Sequence, residues 1–394
     1  MSKYKAVYLD HAATTPLDKD VLAAMKPYFA EDFGNASSIH HAGLRARKAV
    51  KSAREQVAGI LGCASSEIIF TSGATESNNL ALRGAMEAYC DLQSGTKGRA
   101  ITGKHRGHII ISQIEHDSIL KTARYLEKKG IDITCVGVDK YGLVDPKNVL
   151  DAIREDTFLV SIMYANNEIG AIQPIAAIGK QVQKRNILMH TDAAQAAGAL
   201  SLDVKKLHTD MLSLSGHKFY GPKGSGVLYV RRGVQIAPQI TGGGQEYKRR
   251  AGTENVPLII GFSRALCLAD KKQEQESKRL SLLRDWLIVE IERKIKGAHL
   301  TGDREKRLPN SASFCFPGIE GESLVMRLSE RGFEASSGSA CSSGNLEASH
   351  VLLALGLNKF LAMGSLRVAM GRSTAKKDLR LFVEALKEEV EKLS

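Results

Sequence analysis

The sequence has no run approaching the roughly 20 apolar residues that a helix needs to cross a bilayer. Its opening stretch, MSKYKAVYLDHAATTP, lacks the apolar core of roughly 7–15 residues that defines a secretory signal peptide. Both absences predict a soluble, unexported, cytoplasmic chain with no membrane partner. Cysteine is sparse and scattered: Cys63, Cys90, Cys135, Cys267, Cys315 and Cys341 form no CxxC pair, and no Cys/His cluster has zinc spacing. No metal site is expected, and at this length without an export signal the thiols read as reduced. Neither a Walker A loop nor a GxGxxG occurs, so ordinary nucleotide-binding folds gain no support. Internal repeats and long linkers are missing as well.

What is present is ordinary globular material. Of 394 residues, 43% are hydrophobic and 25% charged, enough for a core that needs no disulfide staples and against disorder or a coiled-coil rod. The length suits two or three domains at about 100–200 residues each. Lys+Arg 55 against Asp+Glu 43 gives a net charge of +12. That favours acidic partners, but a basic solvated surface explains it more simply than a nucleic-acid site, so no direct nucleic-acid contact is expected.

Short apolar strands alternate with amphipathic helices from about residue 65 to 230. Segments 67–70, 108–112, 131–136, 158–163, 187–191, 211–214 and 226–230 read as strands. This is an α/β pattern, a mainly parallel sheet with helices on both faces. Near 263 the pattern changes. A long helical stretch carries Leu280, Leu283, Leu287, Ile291 and Ile295, with Gly297 as the expected cap, and the remainder reads α+β. The final helix presents Leu379, Phe382, Val383, Leu386, Val390 and Leu393 on one stripe. Ser94 to Gly107, with four glycines and four Lys/Arg, reads as an exposed basic loop.

Four constellations could carry chemistry. TSGATESNN at 71–79 joins a strand to a helix; its backbone N–H groups and the Thr75 hydroxyl suit a phosphate, though an ordinary N-cap explains it too. Asp192, in HTDAAQ, ends a strand where α/β sheets bind ligands; it could hold a proton on a heterocyclic nitrogen, or simply cap a helix. Lys218, in SLSGHKFYGPKG, leaves a strand into a turn of small residues, where it could form a Schiff base or be a solvated loop lysine; Lys223 looks like a surface or positioning residue. Cys341 sits in ASSGSACSSG, a run too small to bury it, where an accessible nucleophile is expected. Cys63, Cys135, Cys267 and Cys315 lie in apolar patterns, where packing is the default, and Cys90 is undecided.

Together and in this order, these motifs resemble the NifS/IscS-type cysteine desulfurases, class-V aminotransferases of pyridoxal-phosphate fold type I. The resemblance extends from YLDHAATTP at 8–16 to about Arg372 and includes Glu115-His116, NNEIG at 166–170, RAGTE at 250–254 and SLR at 365–367. It implies a large domain over 16–263 and a small one made of 1–15 and 264–394, the latter carrying the cysteine. It implies pyridoxal 5'-phosphate, with Lys218 as the Schiff-base lysine, Asp192 on the pyridine nitrogen, His116 stacked on the ring as a proton carrier and Gln195 at the 3-oxygen. Ala74, Thr75, Ser215 and His217 would surround the phosphate, and Thr253 would reach the phosphate of a neighbouring subunit in a homodimer. Asn167, near cofactor and substrate, would hold the substrate carboxylate with Arg367. Sulfur from L-cysteine would pass to Cys341 as a persulfide, then to an acceptor protein. Iron–sulfur assembly, with a cluster held transiently between Cys341 and a scaffold, and tRNA thiolation are the implied destinations. A selenocysteine lyase or a small aminotransferase is the rival enzyme, the latter disfavoured by the cysteine segment. A nucleic-acid-binding protein is the rival of another class.

Overall fold

In a computed structural model, residues 6–94, 107–338 and 348–393 are described. Cys341 and almost all of the basic 94–107 stretch lie outside them. The first strand, β1 (Val7–Tyr8), stands apart from the seven that make the central sheet: β2 (Ile68–Thr71), β3 (His108–Ser112), β4 (Asp132–Val136), β5 (Thr157–Ser161), β6 (Leu188–Asp192), β7 (Met211–Ser215) and β8 (Gly226–Val230). All seven coincide with the expected strands to within two residues. Their order is β2-β8-β7-β6-β5-β3-β4, parallel except that β8 runs antiparallel to both neighbours.

The reason is burial on both faces. β2, β3, β5, β7 and β8 are buried at every position, which is what an uninterrupted apolar strand requires. Within β3, Ile110 faces the core under helices 41–61, 175–183 and the start of 256–294. Ile109 and Ile111 face helices 74–94 and 117–128. β4 is the exception. It is the edge strand, and Cys135, expected to pack, is exposed there.

The change of pattern near 263 falls inside one continuous helix, Val256–Lys294, about 58 Å long at 1.5 Å per residue. Its first half puts Phe262, Leu266 and Ala269 into the sheet core. Its second half puts Leu280, Leu287 and Ile291 into a separate core with Phe314, Leu366, Leu379 and Phe382. The expected cap at Gly297 is not the cap. Ile295 ends the helix in an extended conformation because its side chain is drawn into that second core, and Gly297 follows two residues later with φ +83°. Around this core β9 (His299–Leu300), β10 (Ser311–Cys315) and β12 (Ser365–Ala369) form an antiparallel sheet. β11 (Phe333–Glu334) pairs in parallel with β1, so the N-terminal strand joins the C-terminal part of the chain.

One consequence of the topology positions everything that follows. Gly226 of β8 faces Thr71 on one side and Ser215 on the other, so β2 and β7 end at the same edge of the sheet. β6 runs parallel to β7, and Asp192 ends there too. The carboxyl ends of these strands form the crevice in which α/β sheets bind ligands.

Candidate active site

A cavity of about 780 Å³ opens at that edge. It is lined by Lys218, Asp192, His116, Ala74, Thr75, Gln195, Ser215, His217, Asn167 and Arg367, ten of the twelve residues singled out from sequence. Of the other two, Cys341 lies outside the described residues. Thr253 is exposed, in an adjoining cavity of about 220 Å³ with Ser72, Gly224, Glu246 and Arg250.

Lys218 follows β7 in a single 3-10 turn, Gly216–Lys218. Its Nζ donates to the carbonyls of Ala12 (2.6 Å) and Ala13 (2.9 Å), and the amide of Gln195 donates to Ala12 as well (3.0 Å). The N-terminal HAATT segment thus closes one wall of the cavity. Lys223 contributes to the lining from an exposed position, a rim role that its loop setting understated.

Asp192 is 5% exposed. Its Oδ1 accepts the N–H of Ala194 (2.9 Å) and its Oδ2 accepts Nδ2 of Asn78 (2.7 Å). No helix follows, so it caps a turn while presenting a carboxylate to the cavity. His116 combines both readings given to it. It is the N-cap of helix 117–128, Nδ1 accepting the N–H of Ser118 (3.1 Å), and it lines the cavity.

At the opposite end, Ala74 and Thr75 begin a 21-residue helix, whose first N–H groups have no partner within the helix. The turn before it is pressed against β8: a Cβ on Gly226 would lie 2.6 Å from the backbone of Gly73, so only glycine allows the approach. His217 sits between Thr14 Oγ1 (3.1 Å) and the cavity. Burial, aided by the Lys218 and Lys223 ammonium groups, pushes its pKa down to about 4, so the ring is neutral.

Arg367 is 4% exposed. Nη2 donates to Asp10 Oδ1 (2.7 Å), Nη1 donates to the carbonyl of Asn167 (3.0 Å), and Nε is buried without a partner among the described residues. Asn167 lines the cavity, and its backbone carbonyl does the holding. Asp10 was missed from sequence, although it stands in the YLDHAATTP motif; its signal was a lone carboxylate beside a His in an N-terminal turn. Glu115 and Glu168 were missed too. Both are fully buried carboxyls, raised by burial to about 8 and about 7. Glu115 accepts from Ser112 Oγ (2.5 Å) and the N–H of Met163 (2.9 Å), and Glu168 accepts from Ser349.

The donor set fits pyridoxal phosphate. An amine, a buried carboxylate and a helix N-terminus with Thr75, Ser215 and a neutral His would suit the aldehyde, the ring nitrogen and the phosphate respectively, and the cavity of about 780 Å³ has room for cofactor and substrate together.

A family model for class-V aminotransferases matches residues 7–382. The chain belongs to the class-V aminotransferases. This family is pyridoxal-phosphate-dependent. Among curated class-V relatives, proteins named cysteine desulfurase IscS from Dictyoglomus turgidum and Methanosarcina thermophila are each 49% identical over 389 residues. These alignments cover 99% of this chain and 95% and 93% of theirs. Among solved structures, a NifS-like protein matches with TM-score 0.88 at 38% identity, covering 97% of this chain and 98% of its own. One described as SspA in complex with cysteine matches with TM-score 0.78 at 37% identity, covering 92% and 98%. The fold-type-I architecture expected from the motifs is therefore the architecture found.

Proposed function

We propose that this chain is a cysteine desulfurase, which converts L-cysteine to L-alanine and leaves the sulfur on Cys341 as a persulfide for an acceptor protein. The observation that carries the reading is the convergence of Lys218, Asp192, Thr75, His116 and Arg367, from five separate segments, on one cavity. The named relatives support it at nearly full length. In balance, the C–S bond of cysteine breaks, an S–S bond to Cys341 forms, and a proton takes the place of sulfur on the β-carbon.

Pyridoxal phosphate, when bound, supplies an electron sink for charge at the substrate α-carbon. The chain supplies the rest. The helix start at 74–75, with Thr75, Ser215 and His217, holds the phosphate. Asp192 pairs with the ring nitrogen, and Gln195 serves the ring's 3-oxygen. Arg367 binds the substrate carboxylate with the guanidinium fork now shared between Asp10 and Asn167, the geometry that suits a carboxylate. Lys218, poised on two carbonyls, removes the α-proton. His116, whose Nδ1 is engaged by Ser118, holds its proton on Nε2 and gives it where the substrate needs it.

Cys341 is the sulfur acceptor in this reading. None of the five described thiols lines the cavity. Loss of water contact raises the pKa of each, only in part at the surface residue Cys135, where Glu127 adds to it, and to about 12 at Cys63 and Cys315, which suppresses the thiolate that nucleophilic attack requires. All five are free, which agrees with a cytoplasmic setting. No helix among the described residues is long and apolar enough to cross a membrane.

A homodimer completes the site by bringing Thr253 to the neighbouring subunit's phosphate. Thr253 is exposed, and Phe29, Phe33 and Ile39 present apolar surface at 60%, 72% and 88% exposure, as an unpaired protomer interface would. The sulfur then goes to an iron–sulfur scaffold, where Cys341 shares a nascent cluster, or to a tRNA-thiolation relay.

The test is release of alanine from L-cysteine by the pyridoxal-phosphate-loaded protein, with persulfide mapped by peptide mass. A loaded protein that yields no alanine overturns the reading.

A further inference from the structure

We propose that Asn78 and Ser118 form a hydrogen-bond bridge between Asp192 and His116 and are positioning residues for both. The proposal rests on the desulfurase reading for the roles of Asp192 and His116. The bridge itself rests on geometry. Asn78 lies three residues after Thr75 on the same helix and is fully buried. Its Nδ2 donates to Asp192 Oδ2 (2.7 Å) and to Ser118 Oγ (2.8 Å). Ser118 Oγ is 2.9 Å from His116 Nδ1, the nitrogen that also receives the Ser118 backbone N–H. Neither Asn78 nor Ser118 lines the cavity, whereas both residues they connect do.

The direction of every bond follows from its ends. A backbone N–H only donates, so Nδ1 of His116 bears the lone pair and the ring proton sits on Nε2. Ser118, having accepted from Asn78, turns its own proton to Nδ1. At the other end an ionised carboxylate only accepts, so the Asn78 amide must face Asp192 with nitrogen rather than oxygen. That orientation leaves Asn78 Oδ1 buried with no partner among the described residues. An unmade hydrogen bond of this kind costs about 1–3 kcal/mol, so stability alone does not recommend the amide here. Its two donors hold the Asp192 carboxylate and, through the Ser118 hydroxyl, the orientation of the His116 ring whose tautomer the Ser118 backbone N–H sets. A single buried side chain thereby couples the group that keeps the ring an electron sink to the group that carries a proton.

The test compares Asn78→Ala, Ser118→Ala, the double variant and Ser118→Thr with wild type. In cofactor-free protein, 15N-labelled histidine spectra read the His116 tautomer and the hydrogen bonding of Nδ1 directly. Wild type should show Nε2–H; each alanine variant should keep it, because the Ser118 backbone N–H remains, while its Nδ1 resonance moves toward that of a less hydrogen-bonded nitrogen. In the loaded enzyme, loss of a charge-assisted bond worth about 2 kcal/mol should lower kcat for alanine formation about 30-fold in Asn78→Ala, with KM for L-cysteine within about threefold. The double variant should be no worse than Asn78→Ala by more than about threefold, because a chain already broken is not broken again. Ser118→Thr, which keeps the hydroxyl, should behave like wild type. The bridge is refuted by an unchanged His116 Nδ1 resonance in both single alanine variants, by losses that multiply in the double variant, or by Ser118→Thr as impaired as Ser118→Ala. If wild-type enzyme makes no alanine, the desulfurase reading fails instead, and the Nδ1 resonances still decide the bridge.

Discussion

Cys341 and Lys218 are assigned to separate stages, and single substitutions should separate them. Lys218→Ala should fold, and borohydride should no longer fix pyridoxal phosphate covalently to the chain; covalent fixation to the same peptide would move the attachment point elsewhere. Cys341→Ser should keep the visible chromophore and its response to added L-cysteine. It should release alanine at least about 100-fold more slowly, since a serine hydroxyl is scarcely ionised at neutral pH. Replacing Cys63, Cys90, Cys135, Cys267 or Cys315 singly should leave turnover within about twofold, given their raised pKa values and their absence from the cavity lining. Persulfide found on any of these five would remove Cys341 from its role. Asp192→Asn removes the carboxylate proposed for the ring nitrogen but keeps one acceptor oxygen for Ala194, and Asn78 can turn its own oxygen to the new amide N–H, so turnover should fall far more than melting temperature.

At the scale of elements, the phosphate end depends on how closely β8 lets the 72–75 turn approach. Gly226 is flanked by Thr71 and Ser215 and backed by Gly73, with no room for a Cβ. Gly226→Ala must displace backbone, which costs about 1–3 kcal/mol in a well-packed region. It should also weaken pyridoxal phosphate binding more than Thr75→Ala, which removes one hydroxyl and leaves the turn in place. Spectral titration of cofactor-free protein measures both. Equal affinities would mean that the turn tolerates the shift. The NNEIG turn is held by a different device. Arg307, 2% exposed, donates to the carbonyls of Ile169, Thr301 and Asp303, clasping the Asn167 loop to the C-terminal sheet.

At the scale of the whole molecule, two opposed sets of buried groups shape stability against pH. His190, between Ser161 and Ser213, is pushed down to about 3 by burial, and His217 to about 4. Below the ordinary histidine value near 6.5 the unfolded chain takes up protons that the folded one refuses, so stability falls as pH drops from about 6.5 toward 3. Glu115 and Glu168 work the other way. Raised to about 8 and about 7, they are neutral in the folded chain when the unfolded carboxyls are already ionised, so stability falls as pH rises from about 4.5 to 8. Denaturant titrations from pH 4 to 8 should show a broad maximum near pH 5–6. Glu115→Gln should flatten the alkaline side, and His190→Asn the acid side. If neither substitution changes its slope, these groups do not control the profile. Assembly offers a separate test. Mixing inactive Lys218→Ala with a severely impaired Thr253→Ala should restore some activity through hybrid dimers, and full activity in a sedimenting monomer would exclude a shared site.

Much of this protein was legible in its sequence because the relevant signals are local. Strand positions follow from short apolar runs buried on both faces, and the Lys218 and Asp192 motifs declare themselves by lying where those runs stop. The Thr75 turn is marked by glycine and a strand-to-helix switch within a few residues. What the tertiary structure decided depends on partners distant in the chain. Cys135 reads as core until β4 is found at the sheet edge, where one side has no neighbour. Ile295 ends the long helix ahead of Gly297 because a core built from residues 280–390 claims its side chain. Asp10 meets Arg367, and Asn78 meets Asp192, across 357 and 114 residues of sequence. Residue type and spacing can nominate a carboxylate, an amide or a guanidinium. Which of them touch is fixed only when sheet order and helix packing bring the carboxyl ends of β2, β6 and β7 to one edge.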